Sequence, residues 1–224
     1  MAGLDTRTIR AGLDDGYTLP AEWYTSGDVF AREHRRIFGR AWQYVGLTEQ
    51  VAQPGDFFTT TLGEVPVLVV RDQQGALRAW INVCRHRGST LVLDARGSRK
   101  TLQCHYHAWT YNLDGTLRAA PGEKDEPGFD RANFPLIPAQ VAAWGPFIFV
   151  NPDRAAPAFE SVLGELPRLV DETGLPLGAI RRRVRREYEI AANWKVGVDN
   201  YLECYHCHVA HPSFSVIIEL NSAD

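Results

Sequence analysis

The fold of this chain is decided by two short stretches, Cys84-Arg85-His86-Arg87-Gly88 and Cys104-His105-Tyr106-His107-Ala108-Trp109. Each stretch pairs one thiol with one imidazole, and residues 87–103 separate the two pairs. The four candidate ligands are Cys84, His86, Cys104 and His107. Loops that must meet at one metal centre need a rigid support, so we expect short β-strands on both sides of them.

This mixture of thiol and imidazole ligands indicates a pair of iron ions, each of which prefers a different kind of ligand. Thiolates suit an iron that stays ferric, and neutral imidazoles on the other iron raise the reduction potential to roughly −150 to +300 mV. A structural zinc site is the alternative, because zinc also takes two cysteines and two histidines. Zinc sites usually keep like ligands together, as Cys-x2-Cys and His-x3-5-His pairs. The mixed pairs therefore favour an iron–sulfur cluster.

The two stretches and their flanking residues resemble the Rieske [2Fe-2S] domain of ring-hydroxylating oxygenases. The resemblance implies that Cys84, His86, Cys104 and His107 bind a [2Fe-2S] cluster. It also implies an antiparallel β domain like that of Rieske iron–sulfur proteins, with the ligand loops at its tip.

The amino-acid composition limits the classes of protein that we expect. The chain has 224 residues, 45% hydrophobic and 23% charged, which is ordinary for a globular protein. Its net charge of −3 gives no reason to expect nucleic acid or an acidic membrane surface as a partner. We expect no membrane span and no signal peptide, since residues 1–16 are polar and no long apolar run follows. All four cysteines stand beside histidines rather than in a disulfide framework, which favours the cytoplasm.

Three parts are expected along the chain: an N-terminal helical segment (1–40), an antiparallel β domain (41–155) and a C-terminal part (156–224). In the first part a short helix is predicted over residues 27–38, capped by Ser26 or Asp28. Strands are predicted at 65–70, 77–83 and 147–150, with a hairpin turn at Asp114-Gly115.

The C-terminal part begins after a proline-containing boundary at residues 151–157, and a helix is predicted over residues 158–173. Five of the six residues 181–186 are arginine. Their alternation into Tyr188 and Ile190 predicts a strand with one solvated face. A basic patch for a redox partner is the alternative.

A second cluster of candidate ligands lies in residues 193–212, which we predict to be one helix. Its apolar stripe would be Trp194, Val198, Tyr201 and Tyr205. Asp199, Glu203 and His206 follow at helical spacing on another stripe. His211 lies five residues after His206, so the chain must turn near Pro212 if both histidines bind one metal.

The order of Glu203, His206 and His211 resembles the mononuclear iron motif of Rieske-type oxygenase α subunits: an acid, two residues, a histidine, four residues and a second histidine. The resemblance implies that His206 and His211 bind Fe(2+). Glu203 would bridge, by hydrogen bonds, between an iron-ligating histidine and a cluster-ligating histidine of the neighbouring subunit in a homotrimer. The implied fold is α+β, with the start of a helix-grip (START-like) catalytic domain after the Rieske domain.

Several of these residues have other interpretations. Cys204, Cys207, His208 and His211 could form a zinc site, although the geometry on one short helix is awkward. We expect Cys204 and Cys207 to be small packing residues, and Asp199 to be a solvated or supporting acid. Around the first site, Tyr106 and Trp109 can pack over the cluster or hydrogen-bond it, and Arg87 can face a partner or solvent.

In the family the third iron ligand comes from a helix far beyond the second histidine, whereas only Glu219 and Asp224 are later acids here. We therefore expect the first half of an oxygenase α subunit. Its partners would be a reductase or ferredoxin, O2 and a small organic substrate. The residues around Glu203 favour quaternary amines over aromatic rings. The alternative is a Rieske-type electron-transfer protein without oxygenase activity.

Overall fold

A computed structural model describes residues 6–123 and 126–217. The described residues form two compact units, one from residues 33–183 and the other from residues 6–32 together with 184–217. Within these described ranges, no helix is long and apolar enough to cross a membrane. The expected boundaries at residues 40 and 155 remain predictions.

The larger unit is built on a seven-stranded sheet in which every neighbouring pair is antiparallel. In their order across the sheet, the strands are β1 (Gln43–Leu47), β10 (Phe147–Asn151), β9 (Pro138–Trp144), β4 (Leu77–Ile81), β3 (Val65–Arg71), β2 (Asp56–Leu62) and β5 (Arg96–Ser98), numbered by their order in the chain. The strands predicted at 65–70, 77–83 and 147–150 correspond to β3, β4 and β10.

A second, three-stranded sheet carries one of the two ligand stretches. It consists of β6 (Leu102–Gln103), β7 (Thr110–Tyr111) and β8 (Leu117–Ala119) in sequence order. Both sheets are antiparallel and helices complete the chain, so the α+β prediction is confirmed.

Strand β3 explains why the larger unit is stable, because both of its faces are buried. Leu68 and Val70 belong to an apolar cluster that also contains Cys84 and Cys104. The alternate residues Val67 and Val69 belong to a second cluster on the other face. A central strand covered on both faces is typically a continuous β-branched and aliphatic run, as this strand is. Cys84 and Cys104 are thus part of the core.

The predicted hairpin between β7 and β8 is present, with its turn at residues 112–116. Asp114 accepts hydrogen bonds from the backbone and the hydroxyl of Thr116. Gly115 has φ +86°, and a Cβ on it would lie 2.5 Å from the Trp80 ring. Glycine is therefore required at this turn by conformation and by space.

The helices are short. They are α1 (Thr6–Asp14), α2 (Glu22–Thr25), α3 (Gly27–Glu33), α4 (Phe159–Leu163), α5 (Leu166–Glu172), α6 (Trp194–Leu202), α7 (Cys207–Ala210) and α8 (Pro212–Ile217). The helix predicted over residues 27–38 is α3 followed by one wider π-helical turn, His34–Phe38. The helix predicted over residues 158–173 is two helices, because Gly164 adopts φ +53° between α4 and α5.

Two sequence predictions for the C-terminal part are wrong. Residues 180–190 form no strand, because no neighbouring strand pairs with them, and Val184, Tyr188 and Ile190 are exposed. Residues 193–212 are not one helix either. Helix α6 ends at Leu202, and Glu203 has extended backbone angles. The predicted apolar stripe is not buried, since Tyr201 is 87% exposed.

Candidate functional site: two ligand knuckles and a histidine pair

The first knuckle (residues 84–89) is a tight turn held by its own backbone. The N–H of Cys84 donates to the carbonyl of Ser89 at 2.8 Å, and the N–H of Gly88 donates to the carbonyl of Cys84 at 3.1 Å. Gly88 has φ +73°, in the left-handed region that favours glycine. The turn fixes the cysteine and leaves the side chain of His86 free to face the second knuckle.

The second knuckle (residues 104–109) repeats this backbone. The N–H of Cys104 donates to the carbonyl of Trp109 at 2.8 Å, and the N–H of Ala108 donates to the carbonyl of Cys104 at 3.0 Å. Ala108 occupies the position equivalent to the glycine of the first knuckle, with φ +57°. The two knuckles therefore share one backbone conformation. Their histidines differ in position, because His86 lies two residues after its cysteine and His107 lies three residues after its cysteine.

The knuckles bring the four predicted cluster ligands together. Cys84 and Cys104 are free thiols, 2% and 3% exposed. Burial is the main cause of the raised pKa of the Cys84 thiol, and Cys104 raises that pKa further. A bound metal ion reverses this preference, because a coordinating thiol loses its proton. The buried thiols are thus suited to a positively charged metal pair.

The two imidazoles lie side by side. The ring centroids of His86 and His107 are 4.6 Å apart, with the planes at 72°. Among the residues that the structure describes, Nδ1 of His86 is buried and has no hydrogen-bond partner. The pKa of His107 is lowered by desolvation first and then by His86 and Arg87. Both features fit neutral imidazoles that bind metal.

Aromatic residues surround the imidazoles. The Trp109 ring is stacked on His86 at 4.9 Å with the planes 8° apart. The Tyr106 ring lies 3.8 Å from that of His107. Both residues therefore pack against the ligands, one of the two roles expected for them, and the side chain of Arg87 is exposed.

Tyr111 is a functional candidate that the sequence analysis missed. Its buried hydroxyl lies 3.5 Å from the sulfur of Cys84 and accepts the backbone N–H of Arg85 at 3.0 Å. Burial is the main cause of its strongly raised pKa, so the hydroxyl keeps its proton and can donate to a thiolate. Its place on β7, two residues beyond the buried Trp109, was the only available sequence indication.

These donors fit a [2Fe-2S] cluster. Two buried thiols and two neighbouring imidazoles can serve two irons with two protein ligands each. Across residues 6–123 and 126–217, no group of three or more histidines, cysteines or acids is placed to hold a single metal ion.

The second candidate site lies just beyond helix α6. Oε1 of Glu203 is 2.5 Å from Nδ1 of His206. This hydrogen bond is the main cause of the lowered pKa of Glu203. The ring centroids of His206 and His211 are 5.3 Å apart. The structure thus brings Glu203, His206 and His211 together through a bend after Leu202, rather than along one helix.

An open cleft of about 580 Å³ adjoins these side chains. It is lined by residues that include Asn200, Glu203, His206, His211 and Phe214. The amide nitrogen of Asn200 lies 3.5 Å from Nε2 of His206, on the side of the ring opposite Glu203. Because Nδ1 is engaged by Glu203, a metal would bind at Nε2 in place of the Asn200 amide. Glu219 and Asp224 lie outside the described residues.

The remaining candidates are placed as follows. Cys204 and Cys207 are joined in a disulfide, so they do not form the alternative zinc site, and Cys204 is exposed rather than packed. Asp199 accepts a hydrogen bond from the hydroxyl of Tyr24 at 2.7 Å. This bond gives Asp199 a supporting role within the smaller unit.

Comparison with known families matches both parts of the chain. Residues 41–138 match the model of the Rieske [2Fe-2S] domain. Residues 177–223 match that of the ring hydroxylating alpha subunit catalytic domain. The first match contains both knuckles, and the second contains the segment with Glu203, His206 and His211.

Similar proteins agree with these matches. The carnitine monooxygenase oxygenase subunit of Acinetobacter pittii is 36% identical over 94% of this chain and 57% of its own length. A solved quaternary ammonium Rieske monooxygenase, described for carnitine oxidation by gut microbiota and inter-subunit electron transfer, has a TM-score of 0.82 at 36% identity. The match covers 88% of this chain and 54% of the chain of that structure. Naphthalene 1,2-dioxygenase from Rhodococcus sp. has a TM-score of 0.84 at 28% identity, over 94% and 49%. The chain thus spans about half the length of these relatives.

Proposed function

Because this chain belongs to the Rieske-type oxygenase α subunits, we propose that it is part of a terminal oxygenase that oxidises a small organic substrate with O2. In this proposal the larger unit receives electrons and residues 203–211 belong to the site that uses them. When bound, the cluster supplies one-electron transfer and the mononuclear iron supplies activation of O2.

In the proposed cluster site, Cys84 and Cys104 hold one iron and His86 and His107 hold the other. The observation that carries the proposal is the meeting of the two knuckles. They bring together two buried thiols and two neighbouring imidazoles, with Nδ1 of His86 unpartnered among the described residues. A buried polar atom normally finds a partner, so this nitrogen is suited to a metal.

In the proposed iron site, His206 and His211 bind Fe(2+) and Glu203 fixes the ring of His206. A carboxylate on one nitrogen of an imidazole orients the ring and leaves the other nitrogen for the metal. By resemblance to the family, Glu203 also accepts a hydrogen bond from a cluster histidine of a neighbouring subunit in a homotrimer. The inter-subunit electron transfer described for the quaternary ammonium Rieske monooxygenase supports this arrangement.

For substrates we propose quaternary amines. The support is the 36% identity to the carnitine monooxygenase subunit, which extends over 94% of this chain. Hydroxylation of aromatic rings is the second candidate, supported by the TM-score of 0.84 with naphthalene 1,2-dioxygenase. The electron donor would be a reductase or ferredoxin. We place the protein in the cytoplasm, because Cys84 and Cys104 must stay reduced to bind iron. The Cys204–Cys207 disulfide, which was not expected from the sequence, would be reduced in that compartment.

The first test is the metal content of the purified protein. The proposal expects about two irons and two acid-labile sulfides for the cluster, with a further iron at the mononuclear site. Zinc without labile sulfide would show the cluster assignment to be wrong.

The second test is turnover. With a reductase, O2 should be consumed when carnitine is added, and it should not be consumed by the Glu203→Gln variant, whose cluster should be intact. A normal cluster without consumption of O2 for carnitine or naphthalene would favour the alternative, an electron-transfer protein.

A further inference from the structure

We propose that Glu123 is a positioning residue for the cluster, whose carboxylate holds the outer nitrogen of His86 from within the same chain. The inference rests on the proposed role of His86 as a ligand and adds a residue to that site. Oε1 of Glu123 lies 3.9 Å from Nε2 of His86. This distance is long for a direct hydrogen bond, so the carboxylate acts mainly through its charge.

Two neighbouring side chains orient the ring of His86. One face is stacked on Trp109. The Nε2 edge faces Glu123. The remaining nitrogen, Nδ1, is buried without a hydrogen-bond partner in the described part of the chain. A neutral imidazole carries its proton on one nitrogen and its lone pair on the other. A carboxylate at Nε2 favours the proton there, which leaves the lone pair on Nδ1 for a metal.

The loop that carries Glu123 also builds the surroundings of Trp109. The backbone N–H of Glu123 donates to the carbonyl of Ala120 at 3.2 Å, so the residue sits in a turn just after β8. Further along this loop, Phe129 and Phe134 pack edge-on against Trp109. One loop therefore supplies the Glu123 carboxylate, which faces the edge of the His86 ring. The same loop packs against the Trp109 indole, which is stacked on the face of that ring.

The two cluster histidines differ in this respect. His86 has a carboxylate beside it, whereas within the described residues no ion pair joins His107 to a carboxylate. The His86 side chain is 19% exposed and that of Glu123 is 31% exposed. A charge in such a partly buried position is screened less than one at the open surface.

The consequence is a measurable effect on the reduction potential. A negative charge beside the histidine-bound iron opposes the added electron, so removal of the charge favours the reduced cluster. We expect Glu123→Gln to increase the equilibrium constant for one-electron reduction about tenfold, which is about 59 mV. The shift should shrink in high salt, because screening weakens a charge effect and leaves a packing effect unchanged.

The experiment is a spectroelectrochemical titration of the purified cluster-containing protein at low and at high salt. Two controls are matched to the variant. Glu126→Gln removes an equal charge from the same loop, where the side chain is exposed. Glu123→Asp keeps the negative charge at this residue on a side chain that is one methylene shorter. We expect only Glu123→Gln to raise the potential.

Equal shifts in Glu123→Gln and Glu126→Gln, or a shift that is independent of salt, would overturn the inference. If Glu123→Gln cannot hold a cluster, Glu123→Asp decides: the inference expects a bound cluster, and its loss there would also overturn the inference. The proposed function fails in a different way, because then the unsubstituted protein would lack labile sulfide and the visible spectrum of the cluster.

Discussion

The two candidate sites are built by different means. At the knuckles, backbone hydrogen bonds fix each cysteine, and both cysteines belong to the main apolar core. In the segment 203–211, a side-chain contact between Glu203 and His206 orients the imidazole of the proposed ligand His206, and the nearby Tyr205 is 97% exposed. The first site is therefore a property of the fold, whereas the second is a property of a short stretch of chain.

If this distinction is correct, the two sites should respond differently to substitution. Changes at the knuckles should affect the cluster and the stability of the larger unit together. Changes in residues 203–211 should leave the cluster bound and the stability of the larger unit unchanged.

The largest expected effect is the loss of the cluster in Cys84→Ser. A serine hydroxyl cannot replace a thiolate here, so iron and labile sulfide should fall from about two each to nearly none. His206→Ala should keep the cluster and lose only the mononuclear iron. Iron and sulfide analysis with visible spectra measures both. The exposed Cys204 provides the control, because Cys204→Ser should keep the cluster. Loss of the cluster in His206→Ala would contradict the independence of the sites.

The next effect concerns the reduction potential. His107→Cys replaces a neutral ligand by a thiolate, so the potential should fall from the Rieske range toward about −400 mV, the range of clusters with four cysteines. Spectroelectrochemistry measures the change. His208→Cys is the control, since His208 lies outside both proposed ligand sets. A potential and spectrum unchanged in His107→Cys would refute the assignment of His107 as a ligand.

Substitutions in β3 and in α6 should also differ in their effect on the free energy of unfolding. Leu68 is fully buried in β3, so Leu68→Ala should destabilise the larger unit by about 2–5 kcal/mol. Val198 is 40% exposed on α6, so Val198→Ala should change stability by no more than about 0.5 kcal/mol. Urea unfolding measures both, followed by the absorption of the cluster for Leu68→Ala and by far-ultraviolet circular dichroism for Val198→Ala. Equal losses would mean that α6 is as tightly packed as the β core.

The sequence was sufficient for the features that depend on local pattern. The apolar run of β3 and the turn at Gly115 predicted the antiparallel unit, because burial and turn conformation restrict which residues can occur there. The mixed spacing of cysteine and histidine predicted the meeting of the knuckles. Such patterns can be recognised in the sequence because the physical restriction acts on the residues of the pattern themselves.

The predictions from sequence were wrong where an element depends on contacts with other parts of the protein. The apolar spacing of Val198 and Tyr201 predicted one long buried helix, but periodicity cannot show whether a neighbour covers the stripe. The alternation before Ile190 predicted a strand, although a strand needs another strand to pair with. Tyr111 and Glu123 were missed because their contacts join residues far apart in the chain.

A smaller effect should follow from the hydroxyl of Tyr111. In Tyr111→Phe the sulfur of Cys84 loses its donor, and a hydrogen bond to a charged group contributes about 1.5 kcal/mol. Because the donor stabilises the more negative reduced state, the potential should fall by roughly 60 mV, or about tenfold in the equilibrium constant. The exposed Tyr106 provides the control, since Tyr106→Phe should leave the potential unchanged. Equal potentials in the two variants would show that the hydroxyl of Tyr111 does not act on the cluster.

The smallest effect tests whether the backbone holds the ligands. Gly88 and Ala108 occupy equivalent positions with positive φ, and a Cβ on Gly88 would meet nothing within 4 Å. Conformational strain alone should therefore decide the outcome. Gly88→Ala should destabilise the protein by about 1 kcal/mol, and Ala108→Gly should stabilise it by about 0.5 kcal/mol. Urea midpoints with the cluster bound measure both changes. Shifts of the same sign would show that the two turns are not equivalent, and the backbone would then not be what holds both cysteines.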